Sequence, residues 1–288
     1  MSEICKNWSE WLKKTRFSYM DENQLTQTMN WLGAVRDIVL TNAEIKPDDK
    51  VIDIGTGTGL LAFGVMEKLN ENGKIIFSDK FEDCLIECQN LIKTLEIKPK
   101  VEFLQSDSTD IKLESESVDK ALMRSVLVHI LDKQKAFNEV YRILNPGGIF
   151  AAFEPIMRSN TKYYEIVNPN AITDYEGFKQ AEEDFMTNSN DPITNFDANS
   201  IAQNMEIAGF KDGFVNVEPS ASTYIVAPNT VSTWFNTPPS PGETTIKEKF
   251  LKYFDENKVD KFIQEVDKDL TGREITVTTN VAFIKGIK

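Results

Sequence analysis

The run Gly55-Thr56-Gly57-Thr58-Gly59 joins a short apolar strand, Val51 to Ile54, to a helix expected from about Leu60 to Leu69. Glycines in such a turn permit positive φ and let a ligand approach the backbone closely. A dinucleotide fingerprint needs Gly-x-Gly-x-x-Gly; here the third glycine comes one residue early and Leu60 holds the sixth position. Asp53 sits two residues before Gly55, at the carboxyl end of the strand, where ligands of open α/β sheets bind. A carboxylate there repels a pyrophosphate and attracts an ammonium group. Asp79 ends a second strand, KIIFSD, twenty residues past Gly59, where a carboxylate takes both hydroxyls of a ribose. Asp107 ends a third, VEFLQSD, with Ser106 and Ser108 beside it, a set suited to an adenine amino group. Each aspartate alone reads equally as a solvent-facing loop residue. Three in register with the glycine loop describe an adenosine joined to an amino acid, without phosphate.

The elements that must position these groups follow from periodicity. VDKALMRS is a fourth strand, DKQKAFNEVYRILNPGG a helix closed by Pro146-Gly147-Gly148, and IFAAFEP a fifth strand. FEDCLIECQNLIKTLEI is a helix with Leu85, Cys88, Leu91, Ile92 and Leu95 inward. Strands alternating with helices imply a parallel sheet with helices on both faces. Ahead of it, residues 7–20 read as an amphipathic helix carrying Trp8, Trp11, Leu12 and Phe17. A second helix, N-capped by Asp21, turns Leu25, Met29, Leu32, Val35 and Val39 to one side. Past Pro155 the regularity lapses over 158–196. A helix at Ile201, Met205 and Ala208 follows, then two β-type stretches, FVNVE and STYIVA. The loop NTPPSPGE leads to two helical runs, TIKEKFLKYF and VDKFIQEV, and EITVTTNVAFIKG closes the chain as a strand with Ile275, Val277, Val281 and Phe283 on one side.

The series VIDIGTGTGLLAFG, FSDK, QSDSTD, SVDKALMRSVLVHI and AFNEVYRILNPGGIF, over about residues 45–155, resembles the class I S-adenosylmethionine-dependent methyltransferases. Within them it is most similar to the small-molecule group that includes ubiquinone- and menaquinone-pathway enzymes. The resemblance implies a Rossmann-like, doubly wound α/β sheet of seven mostly parallel strands with the last antiparallel. It implies S-adenosyl-L-methionine as cofactor, Gly55 and Gly57 against its methionine part, Asp79 on its ribose and Asp107 on its adenine. Thr56 stands where Cys or Ser is common, and Lys80 where the group often has an apolar residue; a lysine stem can still pack there. The expected organisation is an N-terminal helical lid over 1–44, a cofactor-binding core over 45–157, and the rest of the same domain over 158–288. Substrate-lid insertions are expected at about 158–196 and 228–272.

Methyl transfer from a sulfonium needs alignment first, and a general base only when the acceptor holds its proton. His129 is the only histidine and imidazole titrates near neutral pH, so it is a candidate base; capping or packing is the competing reading. Ser125 lies four residues earlier, so a helix would place both on one face, near the cofactor's methyl by analogy. Arg124 is a candidate for the methionine carboxylate, with a surface salt bridge as the plain alternative. Glu154 follows the fifth strand as a candidate for an amine or hydroxyl, or a loop carboxylate. Arg16 and Tyr19 are candidates to close over the cofactor, with Tyr19 also a catalytic candidate. Tyr163, Tyr164, Tyr175, Phe178, Phe185, Trp234 and Phe235 in the insertions suit an apolar or planar acceptor or lid packing.

Composition narrows the field. Of 288 residues 41% are hydrophobic and 27% charged, with 32 basic against 45 acidic side chains and a net charge of −13. That charge repels nucleic acid and anionic membrane alike. No run approaches the ~20 apolar residues of a membrane span, and the start of the chain lacks a signal peptide's apolar stretch. Three cysteines, an odd number, fit a reducing cytoplasm. Cys84 and Cys88 are expected as half-buried thiols, and no metal site is expected. The expected protein is a cytoplasmic monomer or homodimer acting on a small-molecule methyl acceptor. A nicotinamide-dependent dehydrogenase and a non-catalytic S-adenosylmethionine-binding protein remain the alternatives; the Gly-x-Gly-x-Gly spacing and Asp53 weigh against the former.

Overall fold

KVIDI, KIIFSD and the second half of VDKALMR lack the alternation of a half-exposed strand, as expected where helices cover both faces of a parallel sheet. The structure is a computed structural model that describes residues 9, 10, 12–14, 22–95 and 99–288. In it these runs form β1 (Lys50–Ile54), β2 (Lys74–Asp79) and β4 (Val118–Arg124), with β3 at Lys100–Gln105. Ile52, Ile76, Phe77, Leu122 and Met123 have no exposed surface. The seven strands lie in the order β3-β2-β1-β4-β5-β7-β6, and β1 to β5 pair in parallel. β7 (Glu274–Ile287) runs antiparallel between β5 (Leu144–Pro155) and β6 (Lys211–Ile225). Lys288 N donates to Gly148 O at 3.0 Å while Ile156 N donates to Asn280 O at 2.8 Å, and Val226 N donates to Arg273 O at 2.9 Å. The order reverses between β1 and β4, and the carboxyl ends of strands at such a switch point are where open α/β sheets bind ligands.

Two compact units divide the chain. Met1–Glu154, Ala198–Val217 and Ala282–Lys288 make the first; Pro155–Asp197 and Glu218–Val281 make the second. In the first, α1 (Glu22–Asn42) packs on α2 (Leu60–Met66). There α2 and α3 (Glu82–Ile92) lie against β2, and α4 (Lys133–Ile143) packs on α7 (Ala198–Ala208). The second unit carries α5 (Tyr163–Ile166), α6 (Tyr175–Met186), α8 (Thr230–Asn236), α9 (Ile246–Phe250) and α10 (Glu256–Leu270) around its own core. Phe178 stacks on Phe262 there with ring centroids 3.6 Å apart. Phe178, Phe185 and Phe235 are therefore core residues of that unit, with Tyr163, Tyr175 and Trp234 packed at its edge.

Several local expectations change. Leu25 and Met29 are exposed and only Leu32, Val35 and Val39 of the α1 stripe are buried. On α3 Cys84 joins Leu85 and Cys88 inside while Leu91 is exposed, and Leu95, beyond the helix end at Ile92, is exposed too. Both thiols are fully buried rather than half-buried. FVNVE and STYIVA are one long strand, β6; Pro219 does not break it because an edge strand tolerates a missing N–H. The run 245–254 shortens to α9, and Leu144 to Gly148 extend β5 instead of closing α4. The irregular stretch 158–196 contains the helix α6, whose buried face carries the acid Glu182 beside Phe178, Ala181 and Phe185. Trp8, Trp11, Arg16, Phe17, Tyr19 and Asp21 lie outside the described residues.

The stretch AFNEVYRIL has a mechanical purpose. Glu139 accepts the Ile111 amide at 2.8 Å and holds Arg142, whose guanidinium donates to Leu113 O at 2.7 Å and Ile111 O at 2.8 Å. This staples the 111–113 loop to α4. Charge-assisted hydrogen bonds are worth ~1.5–3 kcal/mol each. Arg142→Met should destabilise the protein by about 2 kcal/mol, read by urea denaturation; a change under ~0.5 kcal/mol would show that the staple is dispensable.

Candidate functional site

Thr56 and the glycines of the loop offer backbone donors and almost no packing surface, so other elements must hold them. Gly55 and Gly57 take φ of 66° and 54°. A Cβ on Gly55 would lie 2.4 Å from Val126 Cγ2, so only glycine fits under that side chain. Asp53, 2% exposed, accepts the Thr56 hydroxyl at 2.7 Å and the Ala62 amide at 3.0 Å, both through Oδ2. Asp79 accepts the Gly57 amide through Oδ2 and the Phe81 amide through Oδ1, each at 2.9 Å. Thr56 N donates to Ser78 O at 2.9 Å, and the Cys88 thiol donates to Gly57 O at 3.4 Å. The loop is thus laced to β1, β2, α2 and α3.

Burial governs the electrostatics of this lacing. It pushes the Asp53 carboxyl up to about 7, against the Thr56 hydroxyl, the Ala62 amide and the Arg124 charge, which favour the ionised form. It also raises Asp79 above the usual carboxylate range, against the Phe81 and Gly57 amides. Burial, with Asp53, Asp79 and Glu87 nearby, pushes the Cys88 thiol up to about 12. A thiol held protonated is a donor and not a nucleophile.

Asp107 lies two residues beyond the end of β3, not in it. Its Oδ1 accepts the Thr109 amide and hydroxyl at 2.9 and 2.8 Å, and its Oδ2 meets Lys80 Nζ at 3.0 Å. Partial burial works to raise this carboxyl, but the Thr109 and Lys80 bonds outweigh it and hold it below its ordinary value. Ser106 is buried and shapes the loop: its hydroxyl accepts the Lys112 amide at 2.9 Å and donates to Asp110 O at 3.0 Å. Ser108 stands half-buried beside it.

The ends of β4 and β5 bring the remaining candidates together, with two corrections. Ser125 takes φ 54° and a 3₁₀ turn covers only Leu127–His129, so no helix face carries Ser125 and His129 together. Glu154 lies inside β5 with no exposed surface, which removes the loop-carboxylate reading. Its Oε1 accepts the amides of Val126 at 2.8 Å and Leu127 at 3.1 Å, and burial pushes its carboxyl up to about 7. Arg124 is half-buried and His129 exposed. Spacing gave no sign of the parts played by Val126, Thr109 and the Ala62 amide.

Carboxyls raised to about 7 make a prediction about pH. An unfolded Asp titrates near 3.9, so between pH ~4 and ~7 the folded chain keeps a proton that the unfolded chain has lost. This contribution to stability is full below pH ~4 and is lost as pH rises through about 7. Asp53→Asn removes it, so the mutant should gain on the parent by a few kcal/mol (order of magnitude) between pH 4.5 and 7.5 in urea denaturation. A difference that stays flat with pH would contradict the account.

A family model described as methyltransferase domain matches residues 45–209, more than half the chain. Sterol methyltransferase-like 1 of Botryococcus braunii is 30% identical over 152 residues, 49% of this chain and 38% of that protein. A ubiquinone/menaquinone biosynthesis C-methyltransferase of Cronobacter sakazakii is 25% identical over 124 residues, 42% of this chain and 49% of that protein. The match thus spans half or less of the length of these curated relatives. Among solved structures, the Bacillus subtilis YcgJ protein aligns with TM-score 0.55 at 16% identity, covering 88% of this chain and 98% of its own. The [4+2]-cyclase SpnF aligns with TM-score 0.52 at 14% identity, covering 89% and 80%. These two share the fold. With the domain match over more than half its length, and with the strand order and glycine loop in agreement, the chain belongs to the methyltransferase-domain family.

Proposed function

We propose that this chain transfers a methyl group from S-adenosylmethionine to an oxygen, nitrogen, carbon or sulfur atom of a small-molecule acceptor. One observation carries the reading: a buried carboxylate at the end of β2, Asp79, holds the amide of a bare glycine loop at 2.9 Å. This supports the reading of Asp79 as an acceptor for ribose hydroxyls beside approachable backbone, and the loop carries no cationic side chain for a phosphate. The donor set suits a nucleoside joined to an amino acid. Asp79 would hold the ribose hydroxyls, Gly55, Thr56 and Gly57 the methionine part, and Asp107 with Ser106 and Ser108 the adenine edge. The stem of Lys80 would pack along the adenine face, its ammonium resting on Asp107. Asp53, Arg124 and Ser125 would complete the methionine end, with Asp53 favouring the ammonium group. When bound, the cofactor supplies a methyl group on a sulfonium, already activated for displacement.

The chain's own work is then to exclude water, align and, for a protic acceptor, remove a proton. His129, exposed at the end of the turn after β4, is proposed as that base, and Tyr19 as an alternative donor or acceptor. Leu12 supports a covering role for the N-terminal segment. Its Cδ1 lies 3.1 Å from where a Gly57 Cβ would stand, and the segment is tied to α3 by Ser9 N to Asp83 at 2.8 Å and Lys13 to Glu87 at 2.8 Å. The relatives named for sterol and quinone methylation favour an apolar, ring-bearing acceptor.

Calorimetry should show micromolar binding of S-adenosylhomocysteine and none of NAD; tight NAD binding without the former would overturn the reading. Asp79→Ala should weaken the former by ~1–3 kcal/mol. Methyl-labelled cofactor incubated with acceptor pools then finds the acceptor. For a hydroxyl acceptor His129→Ala should lower the single-turnover rate ~10²–10⁴-fold with cofactor affinity intact. A near-parental rate would remove His129 from the chemistry.

A further inference from the structure

Glu154 is a fully buried acid whose bonds all run to backbone. Oε1 accepts the amides of Val126 at 2.8 Å and Leu127 at 3.1 Å, while Oε2 has no hydrogen-bond partner. Those amides open the 3₁₀ turn Leu127–His129, where N–H groups lack partners within the turn. A buried N–H left unpaired is costly, so an acceptor from elsewhere is required. Just before them Ser125 stands at φ 54°, a left-handed conformation that a residue with a Cβ holds only when its surroundings enforce it. Ser125 N donates to Phe153 O at 2.9 Å, so β5 fixes this corner at two successive residues, Phe153 and Glu154. The corner then delivers Val126 onto the glycine loop, its Cγ2 lying 2.4 Å from where a Cβ on Gly55 would be.

We propose that Glu154 is a positioning residue for the cofactor loop: through the 126–127 amides it holds the Val126 side chain against Gly55 and so fixes the loop's shape. This rests on reading the loop as the cofactor cradle. Glu154 needs no contact with cofactor or acceptor to do it. The part it plays is that of an acceptor at a fixed place, which the carbonyl of a glutamine can also supply. His129 lies at the far end of the same turn, so the anchor also sets where the imidazole is presented.

The test uses the full chain, with amide hydrogen exchange and S-adenosylhomocysteine calorimetry on the parent, Glu154→Gln, Glu154→Ala and Val126→Ala. Glu154→Gln should keep the Val126 and Leu127 amides protected and the dissociation constant within about threefold of the parent. Glu154→Ala should speed exchange at Val126, Leu127 and Gly57 a hundredfold or more and weaken binding at least tenfold. Val126→Ala should leave the 126–127 amides protected yet loosen binding several-fold. Should Glu154→Ala fail to fold, the glutamine and Val126 variants still decide the matter. Parental affinity in Val126→Ala, or in a folded Glu154→Ala, overturns the proposal. Weak binding by Glu154→Gln with both amides still protected would put the carboxylate on the ligand and overturn it as well. A parent that binds no S-adenosylhomocysteine refutes the methyltransferase reading instead, and Gly57 exchange then decides the anchor on its own.

Discussion

A glycine loop cannot hold its own shape, and in this protein buried carboxyl groups hold it. Asp53 takes the Thr56 hydroxyl and the first turn of α2; Asp79 takes the Gly57 amide. Burying a carboxylate is costly unless hydrogen bonds compensate, and here the compensation comes from donors of the glycine loop and of the residues that follow it. Loop and carboxyls therefore stand or fall together. The remaining strain appears as raised protonation equilibria at Asp53, Asp79 and Glu154, all at the carboxyl end of the sheet. Acids raised by burial gather at functional sites more often than elsewhere, and here three lie at the carboxyl end of one sheet.

The scaffold explains how these groups reach one place. Parallel β1, β2, β4 and β5 end together, so Asp53, Asp79, Arg124 and Glu154 are brought to one edge by strand direction alone. The Glu139–Arg142 staple fixes the loop 111–113 behind Asp107. Fold by itself does not select the reaction: a [4+2]-cyclase shares this architecture at 14% identity. The case for methyl transfer rests on the domain match together with the chemistry of the loop and of Asp79.

What was legible in the sequence is what local chemistry dictates. Strand runs without alternation, glycines before a helix and acids at strand ends are written into adjacent residues, so the sheet and the Asp53, Asp79 and Gly57 cluster could be read directly. Long-range packing could not. Glu154 reads from sequence either as a group for an amine or hydroxyl or as a loop carboxylate, whereas β5 continues through it to Pro155 and it is fully buried. Ser125 and His129 looked helical by spacing, but the positive φ at Ser125 is imposed by β5 through Phe153 and Glu154. The aromatics of 158–196 and 228–272 suit an acceptor wall or packing equally from sequence; Phe178, Phe185 and Phe235 are core of the second unit.

The claim most open to test is that Asp79, already holding the Gly57 and Phe81 amides, also accepts the hydroxyls of a bound ligand. Carbon-13 NMR of the aspartate carboxyls, titrated from pH 4 to 9 with and without S-adenosylhomocysteine, tests it most directly. Free Asp79 should titrate above the ordinary aspartate range. With ligand bound, hydroxyl donors favour its ionised form, and its titration should move to lower pH. An Asp79 titration that does not move when saturating ligand is present would contradict the account.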